Sequence, residues 1–147
     1  MNLDTDLSNR IDRLCEEGDV LAAEEDFRGA LEKYRTAWEL LPEPKDQWEA
    51  STWILTALGD THFLHKEYQS SLSALTRAVR CPGGLGNPFI HLRLGQCHLE
   101  AGDRNAAADE LTRAYMEAGQ DIFDEEDPKY FKLLQSVLKP PPGKTSL

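Results

Sequence analysis

Leu94–Ala114 reads LGQCHLEAGDRNAAADELTRA, and Leu58–Ala78 reads LGDTHFLHKEYQSSLSALTRA. Both open on Leu-Gly-x-x-His and close on Leu-Thr-Arg-Ala, with an offset of 36 residues (94 minus 58). Self-similarity at a period of 20–50 residues is the signature of a repeat architecture, because each copy is a unit that cannot bury its apolar face alone. Within each copy the apolar residues recur at helical spacing: Leu72, Leu75 and Val79 in one, Ala107, Leu111 and Ala114 in the other. One stripe of an amphipathic helix has this period.

The same pattern extends outward in both directions. Ile11, Leu14, Cys15 and Leu21 precede Phe27, Ala30, Leu31, Tyr34, Ala37, Trp38 and Leu41, with a polar break at Glu24–Asp26. Pro42 and Pro44 end that run, since proline and the residue before it resist helix. Lys45–His65 reads as one long helix, which brings Trp48 onto it. The CPGGLGN segment, 81–87, is the strongest break in the chain. Asn87-Pro88 and Asp127-Pro128 are cap-plus-proline helix starts. No segment alternates with period 2, so the chain is expected to be all-α. It divides into a flexible N-terminal arm (1–10), three helix pairs (about 11–44, 45–85 and 88–121), a final helix (128–138) and a disordered tail (139–147). One domain over 11–138 is expected of a chain of 147 residues.

Composition narrows the function classes. The net charge is −10, and residues 1–50 alone carry 14 acids against 6 bases. Such a surface repels phosphate backbones and attracts basic partners, so no nucleic acid is expected as a ligand. No window reaches about 18 consecutive apolar residues, and no membrane span or membrane association is expected. MNLDTDLSNR has no basic segment followed by an apolar run, so no secretory leader is expected there. Three cysteines without paired spacing fit a reducing cytoplasm.

Two helices in about 34 residues, with small or apolar residues at fixed positions, resemble the tetratricopeptide repeat. The small residues of that repeat correspond to Gly18, Gly59 and Gly95 at its eighth position and to Ala30, Ser71 and Ala107 at its twentieth. A large side chain at either place would force the paired helix axes apart. Departures are Glu17 at an apolar position, two replaced prolines and seven extra residues before Thr52. The resemblance covers residues 11–121 and implies a right-handed superhelical solenoid of three hairpins, with 128–138 as the helix that caps the last apolar face.

The resemblance also implies a binding face on the first helix of each pair. Carried over position by position, that face includes Asp12, Asp19, Trp53, Thr56, Asp60, Phe63, Phe89, Arg93 and Gln96, acidic at one end and aromatic in the middle. Trp48, in the extra residues, is expected to protrude as an accessory contact. Relatives that hold the C-terminal carboxylate of heat-shock chaperones need five polar residues where this chain has Cys15, Asp19, Ala57, Phe89 and Arg93. Only Arg93 matches, which excludes that use.

No enzyme is expected, and neither a cofactor nor a metal. His62 and His98 share one repeat position, a core slot, and Cys97 has no activating base, because adjacent helical residues diverge by about 100°. Asp124–Asp127 lacks the glycine-turned loop of a calcium site. The expected activity is protein–protein binding, with a basic and apolar protein or peptide as partner. The stretch from Gly86 to Leu134 also looks like free-standing bacterial repeat proteins resembling immunity partners in toxin–antidote pairs. That likeness implies a cytoplasmic inhibitor of a basic toxin. The alternatives are an adaptor or chaperone for a secretion or signalling complex and, third, a weakly dimerising scaffold using Trp48.

Overall fold

A computed structural model describes residues 2–138 and Gly143. Every regular element among them is helical: α1 (Thr5–Ala23), α2 (Phe27–Leu40), α3 (Glu49–Leu64), α4 (Tyr68–Val79), α5 (Pro88–Glu100), α6 (Arg104–Ala118) and α7 (Pro128–Val137). Short 3-10 turns occupy Lys45–Gln47 and Gln120–Phe123. The chain forms two compact units, 1–85 and 86–147, where one domain over 11–138 is expected from sequence. The tail expected over 139–147 lies outside the described residues, Gly143 excepted.

Each of the three hairpins packs its two helices tightly against each other. The reason is the pairing of small residues noted in the sequence. A Cβ on Gly18 would stand 2.6 Å from the Tyr34 ring, one on Gly59 2.4 Å from Leu75 Cγ, and one on Gly95 2.6 Å from Leu111 Cγ. Across from them Ala30, Ser71 and Ala107 are wholly buried. Ser71 adds a hydrogen bond, its Oγ donating to the Gly59 carbonyl at 2.7 Å.

The three hairpins also turn in the same way. The amides of Asp26, Glu67 and Asp103 donate back to the carbonyls of Leu21, His62 and His98 at 2.8, 2.8 and 2.9 Å. This six-to-one bond needs a left-handed residue just before the donor. Gly102 takes that conformation with φ 86°, but Glu25 and Lys66 take it with φ 62°. A side chain there costs about 1–2 kcal/mol, part of which glycine returns through its greater freedom when unfolded. Lys66→Gly is therefore expected to stabilise the first unit by about 0.5–1 kcal/mol, read as a calorimetric midpoint raised by about 2–4 °C. Asp26 and Asp103 then cap the following helices, accepting from Gly29 and Ala106 amides at 3.0 and 3.1 Å.

Two sequence expectations are corrected at the N-terminal side. The first helix begins at Thr5 rather than Ile11, because Asp4 caps it through the Leu7 amide at 3.3 Å. The seven extra residues do not lengthen α3 and do not make Trp48 protrude. Trp48 sits in extended backbone just before α3, only 7 % exposed, its indole Nε1 donating to the Pro42 carbonyl at 2.8 Å. Lys45 Nζ caps the end of α2 by donating to the Trp38 and Leu41 carbonyls at 3.0 and 2.6 Å. Ser51 Oγ donates to the Lys45 carbonyl. Arg77 lies 4.6 Å over the Trp38 ring and pairs with Asp46 at 2.7 Å, tying the insertion to α4. Polar bonds that satisfy the end of α2 hold the insertion in place of two more turns of helix, so Trp48 is packed inward and does not protrude.

In the second unit α7 docks beside α6, with Phe131 between Tyr115 and Phe123 at 6.1 and 5.3 Å between ring centres. Tyr130 OH donates to Glu100 at 2.7 Å, and Leu133 and Leu134 are buried. Among the described residues no buried side-chain polar atom lacks a hydrogen-bond partner.

Candidate functional site

Helices α1 and α3 leave a groove between them, and it lies wholly within the first unit. Its α1 wall carries Asp12, Glu16 and Asp19, spaced so that all three fall on one helical face. Ala50, Trp53 and Ala57 form the α3 wall, and Ile11 and Ile54, both buried, lie along the floor. The groove encloses about 260 Å³. It opens towards Asn2, Leu3 and Trp48 into a second hollow of about 500 Å³ that shares Ile11, Asp12, Ala50 and Trp53. Trp53 is 63 % exposed, a large apolar surface left facing solvent beside three carboxylates.

The electrostatics of the acidic wall show in the groups embedded in it. The Cys15 thiol is pushed up to about 11, first by burial and then by the charges of Asp19, Asp12 and Glu16. Tyr34 is held above the usual tyrosine range by burial and by its hydrogen bond to Asp19, its hydroxyl donating at 2.6 Å. That bond fixes the Asp19 carboxylate against the α1–α2 contact, so it is a positioned acid rather than a mobile surface charge. A thiol ionising two units above its ordinary value is roughly a hundredfold poorer in thiolate at pH 8. Iodoacetamide is expected to label Cys15 correspondingly slowly, and Asp12→Asn with Asp19→Asn to speed labelling, read by peptide mass spectrometry. The sign for folding follows. Well below pH 9 the thiol is neutral in both states, and as pH rises through 9 toward 11 the unfolded chain ionises first and stability falls.

The other expected binding residues are placed as follows. Thr56 is half-buried and donates its hydroxyl to the Thr52 carbonyl at 2.6 Å. Asp60 is half-buried on α3 and adds to the negative field at Tyr34. Phe63 is half-buried, edge-on to Tyr68 at 5.7 Å. Phe89, Arg93 and Gln96 belong to the second unit. Arg93 and Gln96, expected on the binding face, are instead 7 % and 0 % exposed. Arg93 Nη1 donates to Glu126 at 2.5 Å and to the Gln96 side-chain oxygen at 2.7 Å, while its guanidinium lies 4.9 Å over Phe89. Glu126, from the acidic segment before α7, supplies the carboxylate that holds the arginine inside, a partner 33 residues away that helical spacing does not reveal. Cys15, Glu16, Ala50 and Ala57 join the groove as well, and the i, i+3 step from Ala50 to Trp53 is the sequence signal for the alanine.

Two buried histidines each sit against a carboxylate. His62 is buried with Nδ1 2.8 Å from Glu67, while His98 is only half-buried. His91 is buried too, Nδ1 2.6 Å from Glu110 and Nε2 accepting from the Gly86 amide at 3.1 Å. Among the described residues no three His, Cys, Asp or Glu side chains are placed to hold a metal ion, and no helix is long and apolar enough to cross a membrane.

No family model and no curated protein matches the chain. Solved structures do match. The Yersinia enterocolitica type III secretion chaperone SycD, in complex with a peptide of the translocator YopD, superposes with TM-score 0.69 at 13 % identity, covering 87 % of this chain and 92 % of that one. The C-terminal TPR-containing domain of an FK506-binding protein from Plasmodium falciparum gives 0.71 at 12 % identity, covering 92 % and 90 %. The fold is that of the tetratricopeptide repeat. PcrH from Pseudomonas aeruginosa gives 0.68 at 16 % identity, covering 92 % and 95 %. Likenesses of this kind, at such low identity, show the fold and leave the ligand to be argued from this chain's own side chains.

Proposed function

We propose that the chain is a non-enzymatic binding module whose α1–α3 groove receives a protein or peptide segment bearing basic and apolar side chains. The observation that carries this reading is Trp53, 63 % exposed beside the carboxylates of Asp12, Glu16 and Asp19, the last held in place by Tyr34. An aromatic anchor provides most of the energy of such an interface, and the charges speed and orient the encounter. Thr56, Asp60 and Phe63 continue the same helix and extend the contact toward the end of α3.

Of the roles expected from sequence, an adaptor or chaperone that holds a segment of a partner is favoured. Its support is likeness of fold to the Yersinia chaperone, whose structure contains a bound translocator peptide. A cytoplasmic inhibitor of a basic toxin is the second reading, supported by the acid excess of residues 1–50. Selection from a displayed peptide library tests the shared core of both. Trp53→Ala is expected to weaken the enriched peptides about thirtyfold, and Asp19→Lys to deplete basic sequences from the pool. Equal enrichment by wild type and both variants would overturn the groove. An adjacent reading frame for a basic toxin, whose killing this chain suppresses on co-expression, would move the assignment to the inhibitor.

A further inference from the structure

We infer that His91 is an acid-released latch on Gly86, the residue through which the chain enters the second unit. The ring's two hydrogen bonds fix its proton between them. The Gly86 amide, 3.1 Å from Nε2, can only donate, so that nitrogen offers its lone pair. The Glu110 carboxylate, 2.6 Å from Nδ1, accepts, so the one ring proton lies on Nδ1. His91 is only 2 % exposed, and both of its ring nitrogens are engaged. A second proton therefore has only Nε2 to go to, where it would face the N–H of Gly86. Two donors cannot stay buried against each other, so protonation of the ring and the bond to Gly86 exclude one another.

The release is local. Asn87 follows Gly86 and caps α5 by itself, its side chain accepting from the Phe89 and Ile90 amides at 3.0 and 3.3 Å. Helix α5 thus keeps its start when Gly86 is let go. The charges around the ring leave Glu110 as its ionic partner. On α6, Asp109 and Arg113 pair with each other at 3.4 Å, Arg104 donates to Ser136, and Glu117 is exposed two turns beyond Glu110. On α5, Arg93 is taken by Glu126 and Gln96, Glu100 is bound by Tyr130 and Lys129, and His98 lies about two turns away. The 81–87 segment carries no charged side chain. His62 supplies the contrast. Its Nδ1 meets Glu67 at 2.8 Å in the same way, but among the described residues its Nε2 has no hydrogen-bond partner, so a second proton breaks nothing there.

The test is amide hydrogen exchange by NMR on the full chain, each rate divided by the intrinsic rate at the same pH. Between pH 8 and pH 5, the range in which histidine changes charge, Gly86 is expected to lose protection about tenfold or more. The Glu67 amide, bonded to the His62 carbonyl, is the control and should keep its protection within about twofold. At pH 8 the ring nitrogens of His91 should report a proton on Nδ1 alone. In His91→Gln, whose side-chain oxygen can accept from Gly86 but does not titrate, the fall should vanish. Glu110→Gln keeps an acceptor for Nδ1 and removes the charge that favours the imidazolium, so Gly86 should need a lower pH to open. Gly86 protection that ignores pH, a proton found on Nε2 at pH 8, or a fall that persists in His91→Gln would overturn the latch. So would parallel loss at Glu67, which would mark general unfolding. Should His91→Gln not fold, Glu110→Gln decides, and opening at an unchanged or higher pH counts against the latch.

Discussion

Gly59→Ala is expected to destabilise the first unit by about 2 kcal/mol, although alanine is the better helix former. The glycine is not required by backbone conformation, since Gly59 lies inside α3 and has ordinary helical φ. It is required by space. A Cβ there would sit 2.4 and 2.5 Å from Leu75 Cγ and Cδ2, closer than such atoms approach, and Leu75 is wholly buried and has nowhere to swing. Overpacking of this kind costs about 3 kcal/mol at the upper end of its usual range, and the helix propensity of alanine returns about 1. Leu75→Ala alone should cost about 3 kcal/mol through lost burial and the cavity left behind. Combining the two puts the new methyl into part of that cavity, so the double variant should lose at least 1 kcal/mol less than the sum of the singles. Urea unfolding of the four proteins measures this directly. Strict additivity would mean that α3 and α4 can part at no cost, and the close approach would not be what sets their spacing.

The same close approach explains why so much of the fold was legible in the sequence. Gly18, Gly59 and Gly95 face Tyr34, Leu75 and Leu111, and a contact that tolerates no Cβ leaves a small residue at a fixed interval whatever else changes. The hairpin turns repeat for a related reason: one backbone bond pattern serves all three, so the turn can be met by Glu25, Lys66 or Gly102. The groove was legible for Asp12, Asp19 and Trp53 because position on a helix decides which way a side chain points. Helical position does not decide what lies opposite. Trp48 turned inward with its indole on the Pro42 carbonyl, in an insertion that Lys45 and Ser51 tie down through the Leu41 and Lys45 carbonyls, and none of these bonds follows from periodicity. Arg93 and Gln96 had the right register for a binding face and were withdrawn from it by a residue 30 or more positions away.

That residue carries the second large effect. Glu126→Ala is expected to cost about 3 kcal/mol, more than an ordinary acidic surface position. Glu126 Oε1 accepts from Arg93 at 2.5 Å and from the Gln96 amide at 2.6 Å, and the Arg93 and Glu126 side chains are only 8 % and 18 % exposed. Removing the carboxylate deprives a buried guanidinium of its counter-charge and a buried amide of its acceptor, and breaking one side of such a pair costs about 3–5 kcal/mol. The partial exposure of Glu126 argues for the lower end, because water can reach some of the space it vacates. Glu125, the neighbouring exposed acid in the same segment, serves as the control, and Glu125→Ala should change stability by less than about 0.5 kcal/mol. A further variant separates loss of charge pairing from loss of packing. Arg93→Met with Gln96→Leu and Glu126→Leu removes all three polar groups together, and replacing a buried ionic network by apolar residues of similar volume is often neutral or better. Urea unfolding should therefore show the triple variant recovering most of what Glu126→Ala loses. If Glu126→Ala costs no more than Glu125→Ala, Arg93 is not held in by this carboxylate, and it could then serve on a binding face as its helical position first suggested.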